Sequence, residues 1–158
     1  MGRRSLKLTK HFSLSEAVKS QTAERHFIDN SLPDEYLPKV IAVAENILEP
    51  VRLHFGVPFT PSSWYRSKEL CLKIGSKTTS QHALAEAVDF EVSGVDNLTL
   101  AKWCEYNLEF DKLILEFYTD EDPASGWVHA SYRENNNRHE VYTISRVNGA
   151  VITQKDLP

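Results

Sequence analysis

His82 stands seven residues ahead of Asp89 in Ser80-Gln81-His82-Ala83-Leu84-Ala85-Glu86-Ala87-Val88-Asp89, and a third group of the same kind, His129, lies in the apolar run Trp127-Val128-His129-Ala130. Two imidazoles and a carboxylate form the donor set of an open zinc site, with three protein ligands at about 2.0–2.2 Å and the fourth tetrahedral position left for water. Zinc lowers the pKa of such a water towards about 7 and polarises a carbonyl, so a nucleophile and a Lewis acid arise in one place. Asp89 lies between Val88 and Phe90, where burying a carboxylate is costly unless it is paired or metal-bound. Strand alternation puts it on the face opposite those two residues. Taken as a pair, His82 and Asp89 remain open to a helix cap, a core hydrogen bond or an exposed acid. His129 shifts the reading towards a metal, because it is the only histidine set inside a strongly apolar strand. The other four, His11, His26, His54 and His139, fall near helix ends and loops, where surface or packing roles are expected.

A water activated at such a site needs a group to take its proton. Glu116 sits in Leu113-Ile114-Leu115-Glu116-Phe117, an apolar setting that raises the cost of its charge and marks it as a base, or as one half of a structural salt bridge. If Phe117 and Val128 are paired across a hairpin, Glu116 lies directly opposite His129, with both side chains on one face. Arg66, at the exit of Trp64-Tyr65-Arg66-Ser67, presents a guanidinium that can fork onto a substrate carboxylate or carbonyl, or form a surface ion pair. Trp64, Tyr65, Trp127 and Tyr132 are candidates for a groove wall, although aromatic residues beside strands are also commonly core or rim.

The elements that must position these groups follow from pattern. Ser13 with Glu16 makes a capping box that opens a short helix, with Phe12 as its staple. Leu37, Val40, Ile41, Ala44, Ile47, Leu48, Val51 and Leu53 recur at helical spacing up to Gly56, giving the main amphipathic helix; Pro38 belongs to its first turn and Pro50 bends or breaks it. Val57 to Tyr65 reads as an extended strand ending in a loop rich in Gly, Ser, Thr and Lys up to Ser80. Ala87 to Val92 alternates as a strand, Asn97 caps a helix through Leu108, and Lys112 to Tyr118 is another strand. A loop containing Asp120, Glu121, Asp122, Pro123 and Gly126 turns the chain back into Trp127 to Tyr132. Asn148-Gly149 sets a tight turn between two last strands. Helices come first and mostly antiparallel strands follow, so the expected class is α+β, with a sheet packed against helices.

Length and composition set the outer limits. A chain of 158 residues with 41% apolar content suffices for one domain over residues 1–158. The formal charge of −4 gives no global attraction to nucleic acid, despite a basic arm over residues 1–10 that carries Arg3, Arg4, Lys7 and Lys10. That arm reads as a solvated terminus or a weak grip on an anionic polymer. No apolar run approaches the roughly 18 residues of a membrane span, and residues 1–10 lack the apolar core of an export signal, so a cytoplasmic product is expected, without membrane insertion. Cys71 and Cys104 are too few and too far apart for a disulfide framework or a metal-binding pair, and read as reduced, semi-buried and inert. A monomer is expected.

These same residues resemble the zinc peptidases of the D-alanyl-D-alanine carboxypeptidase and hedgehog fold, in particular their small phage and bacterial branch. That signature, Ser-x-His-x-x-Gly-x-Ala-x-Asp followed by Trp-x-His, is similar to Ser80, His82, Ala87 and Asp89 with Trp127 and His129. Further likeness runs through His11 to Glu16, Ser20 to Asn30, Glu49 to Arg52, Tyr65 to Ser67 and Phe110 to Ile114. The resemblance implies that His82, Asp89 and His129 hold Zn2+, and that Arg66 steadies the substrate or the developing oxyanion. Ser80 and Trp127 are expected beside the substrate. It further implies hydrolysis of a peptide bond in peptidoglycan, as carboxypeptidase or endopeptidase, in an endolysin of phage type or a virion-associated enzyme. The alternatives are a zinc-stabilised binding module without turnover and a metal-free virion component. Two departures stand out. Ala85 replaces the signature glycine, a mild change where the dihedrals are ordinary, and Gly126 stands where many relatives place a catalytic acid three residues before the last histidine. Glu116, or Glu121 or Asp122 in the loop, is then the expected base.

Overall fold

The protein is described here by a computed structural model covering residues 6–158; Arg3 and Arg4 of the basic arm lie outside the described residues. Helices α1 (Leu14–Val18) and α2 (Gln21–Arg25) come first. The capping box at Ser13 forms as expected, with Glu16 answering the cap. A 3-10 turn at Asp34–Tyr36 leads into the main helix, which runs as α3 (Leu37–Val43), a π-turn (Ala44–Leu48) and α4 (Glu49–Phe55). Pro50 explains the π-turn: it has no N–H to give and its ring crowds the carbonyl one turn back, so the chain widens there, with Glu49 N–H reaching Ala44 O. Gly56 ends the helix in the left-handed conformation, φ +68°.

Between this helix and the sheet the structure departs from expectation. Val57 to Tyr65 is extended but forms no strand ladder; a single bridge joins Ser63 to Asp89. Pro58 and Pro61 lack the N–H groups that a ladder requires. The stretch after Ser67, expected as loop, opens with helix α5 (Lys68–Ile74), capped by the Ser67 side chain and closed by Gly75.

Strands β1 (Ala87–Phe90), β2 (Lys112–Glu116), β3 (Trp127–Ser131), β4 (Glu140–Val147) and β5 (Ala150–Lys155), with helix α6 (Asn97–Asn107) between β1 and β2, complete the chain. The cap of α6 is Asp96, one residue before the expected Asn97. The sheet order is β1-β3-β2-β4-β5, antiparallel except for the β2–β4 pair. The architecture is α+β, as expected, and among the described residues no helix is long and apolar enough to cross a membrane.

Register divides the three central strands into two faces. Val88, Ala130 and Leu113 form one row, and Phe90, Val128 and Leu115 another. All six are fully buried and join Phe12, Val40, Ile47, Leu48, Val51 and Trp64 in one cluster. Asp89, His129 and Ile114 are in register on the opposite face, with Trp127 and Glu116 in the next row of that face. Period-two alternation thus sends the apolar residues to the core and the polar ones to a common surface. Cys71 and Cys104 are free, as expected, and are fully buried rather than semi-buried.

Candidate metal centre

Asp89 is the hub of the polar face. Its Oδ1 lies 3.0 Å from His129 Nδ1, and its Oδ2 lies 3.4 Å from His82 Nε2 and 3.2 Å from Arg66 Nη2. Backbone bonds Asp89 N–H to Ser63 O, 2.7 Å, and Ser62 N–H to Asp89 O, 2.9 Å, lock β1 to the preceding segment. His82 arrives on the tight turn over residues 81–85, whose Ser80 hydroxyl accepts from His82 N–H at 3.2 Å. His129 stands in the middle of β3, paired with Asp89 across the ladder.

His82 Nδ1 lies 2.6 Å from the Trp64 carbonyl oxygen. A carbonyl can only accept, so Nδ1 carries the proton and Nε2 is left with its lone pair free for a cation shared with Asp89. Burial pulls the His82 pKa below its ordinary value despite the pull of Asp89 in the other direction. It is therefore neutral near pH 7, the form a ligand must have. Burial pushes the Asp89 carboxyl up, but the surrounding groups, His129 foremost, outweigh it and hold the group well below the usual carboxylate range.

This donor set fits zinc. The ligand atoms of His82, Asp89 and His129 lie within 4.8 Å of one another. Donors held about 2.0–2.2 Å from a tetrahedral zinc are about 3.4 Å apart, the separation that His82 Nε2 and Asp89 Oδ2 already have. A divalent cation there would be held by one carboxylate and two imidazoles.

Glu116 is brought to the same face, but not where a Phe117–Val128 pairing would put it. The observed register pairs Glu116 with Trp127 and Ile114 with His129, two residues away from the expected one. Strand β2 stops at Glu116 because Phe117 turns into positive φ, +58°. A slip of two keeps the face, so Glu116 is a diagonal neighbour of His129 rather than its direct partner. Burial raises the Glu116 pKa, with the nearby His129 opposing and Asp89 adding to the shift. Trp127, paired with Glu116 across the ladder, keeps its Nε1 buried without a hydrogen-bond partner.

Arg66 is half-buried and points inward, Nε to Ser63 Oγ at 2.9 Å and Nη2 to Asp89. The surface ion pair is thereby excluded: its acid partner is the central carboxylate of the site. Trp64 and Tyr65 are buried in the core, so Trp64 acts through its carbonyl and not as a groove wall. Glu121 and Asp122 are exposed in the loop after β2. His11 pairs with Glu49, His54 stacks on Trp103 and His139 on Phe110, all packing roles as expected.

Both departures from the signature acquire a physical meaning. Ala85 has φ +61°, so the position wants glycine, and alanine there costs about 1–2 kcal/mol. A Cβ on Gly126 would fall 2.1 Å from the Glu116 carbonyl oxygen, so no side chain fits where relatives carry their acid.

One group lay beyond the reach of sequence reasoning. Asp111, fully buried, accepts from Gln81 Nε2 at 3.0 Å and from Arg138 Nε and Nη2 at 2.9 and 2.8 Å. Gln81 precedes His82, so this clamp ties the turn that carries His82 to the start of β2. Only the likeness through Phe110 to Ile114 hinted at it.

No curated relative matches the chain. A family model described as Peptidase M15 matches residues 10–130, a span that contains Arg66, His82, Asp89, Glu116 and His129. Signature, fold and match agree: the chain belongs to the Peptidase M15 family, that of the zinc D-alanyl-D-alanine carboxypeptidases.

Proposed function

We propose that the protein is a zinc peptidase that hydrolyses a peptide bond in peptidoglycan, with His82, Asp89 and His129 as the metal ligands. The observation that carries the proposal is the convergence of these three donors on one sheet face beside a half-buried glutamate. Zinc held there would supply a Lewis acid that polarises the scissile carbonyl and acidifies water. Glu116, whose affinity for a proton is raised by burial, takes the proton of the attacking water and returns it to the leaving amine as the C–N bond breaks. Arg66, anchored through Ser63 and Asp89, offers its guanidinium to the developing oxyanion. Ser80 positions His82, and Trp127 lies next to Glu116 on the open side of the sheet. Membership of the family supports a wall substrate.

A second reading, a zinc-stabilised binding module without turnover, is favoured by Gly126, which removes the acid that many relatives use. Incubating the zinc-loaded protein with purified peptidoglycan and counting new amino termini separates the two. Release of termini is expected, and Glu116→Gln should lower its rate by at least about 100-fold while one zinc per chain remains bound. Wall binding without release by the unaltered protein would favour the module. Failure to bind zinc would remove both readings.

A further inference from the structure

Beside the metal centre lies an open cleft of about 580 Å³, with Lys19 to Thr22 and Arg25 on one side and Thr60 to Ser63, Tyr65 and Arg66 on the other. Three cations, Lys19, Arg25 and Arg66, line it, and no carboxylate does. This is a local reversal in a chain of formal charge −4. Other basic side chains near the site are paired, Lys39 with Glu86 and Arg138 with Asp111. Lys19 and Arg25 are exposed and form no ion pair among the described residues.

The cleft is joined to the metal centre through Arg66. This side chain bonds Asp89 through Nη2 and Ser63 through Nε, so the residue that reaches the central carboxylate also lines the cleft. Ser63 lines it too, and its backbone is bonded to Asp89. A substrate lying over the three donors can therefore extend past Arg66 into the cleft and meet positive charge there. On the sheet side it meets Glu116 instead. Leu70 and Ile74 add apolar surface to the wall, suited to the methylenes of an acidic side chain.

We infer that this cleft is a subsite for a free carboxylate on the substrate, carried by a residue flanking the cleaved bond and held by Lys19 and Arg25. The inference deepens the peptidase reading and takes from it that the ligand is a peptide. Arginine matches a carboxylate with two parallel donors and lysine as a point charge, and the hydroxyls of Ser20 and Thr22 can complete its hydrogen bonding. Neutral peptides would leave the two cations unmatched and gain nothing from the cleft.

The test uses the full zinc-loaded chain and two synthetic D-alanine-containing peptides, identical except that one internal carboxylate is free in one and amidated in the other. Binding is followed by amide NMR shifts, with cleavage measured in parallel. The free-carboxylate peptide should bind about tenfold more tightly and shift residues 19–25 and 60–66. The preference should shrink as salt is raised, vanish in Lys19→Ala/Arg25→Ala, and survive in part in Arg25→Lys. Equal binding of both peptides, no binding of either, or a preference untouched by the double substitution would overturn the inference. So would displacement by inorganic phosphate at the peptide's own affinity, which would mark a site for any anion. A preserved carboxylate preference without cleavage would sink the peptidase reading and leave the cleft standing. Cleavage of both peptides with equal binding would do the reverse.

Discussion

Gly126 is where a single residue decides most about the site. With φ +68° and a Cβ position 2.1 Å from Glu116 O, it lets the chain pass close over the end of β2. Gly126→Ala combines left-handed strain with overpacking against backbone that cannot move aside, and should cost about 3 kcal/mol in urea unfolding. The nearest displaced atom is the Glu116 carbonyl oxygen, with backbone of Phe117 and Tyr118 beside it, so peptidase activity should fall with stability. An unchanged urea midpoint would show that the close approach is not maintained. At this scale the cluster of three donors was legible in sequence, because two lie in apolar strands where an ionisable group needs a reason. The turn carrying His82 contributes the third. Glu116 was legible as to face but not as to neighbour. Parity fixes the face from any even register, whereas the partner depends on where Phe117 leaves the strand. Trp64 O and the Ser63 backbone were not legible at all, since every residue has the same backbone groups.

At the scale of elements, the site depends on how the turn over residues 81–85 is pinned to the sheet. Asp111 does this: the hydrogen bonds from Arg138 outweigh its burial, and with Gln81 they bring its pKa from the ordinary 3.8 to about 2. A carboxyl held lower in the folded chain than in the unfolded one contributes stability that is complete above pH 3.8 and lost as pH falls towards 2. Urea midpoints measured across that window should fall in the native chain and fall less steeply in Asp111→Asn, which starts lower. Identical slopes would dismiss the clamp. The main helix, the capping box and the Asn148-Gly149 hairpin were all readable, since each has a long period or a specific cap. Helix α5 was not. Its seven residues give two turns, too few for a period to stand out, and only Leu70 and Cys71 are buried. The Gly, Ser and Thr that follow it mask a cap at Ser67 that was present in the sequence.

Across the whole molecule, the family match ends at residue 130, yet the sheet continues. Strand β4 pairs in parallel with β2, Phe117 N–H bonds Ile144 O, and Glu140 N–H bonds Asp111 O. The last hairpin thus covers the edge of the strand that carries Glu116. Its two strands differ in what they protect. All six residues of β5 are exposed, whereas the connection into β4 supplies Arg138 to Asp111, and β4 buries Val141. A chain ending at Asn148 should fold, bind one zinc and lose only about 1–2 kcal/mol, the apolar area that β5 and Leu157 cover. A chain ending at Tyr132 strips a buried carboxylate of its guanidinium, a loss of about 3–5 kcal/mol, and bares an apolar edge strand prone to association. It should fail to give a cooperative unfolding transition or to retain zinc. If the shorter chain instead binds zinc and melts cooperatively, the matched region holds its own fold, and the β4–β5 hairpin is an addition that the metal centre does not need.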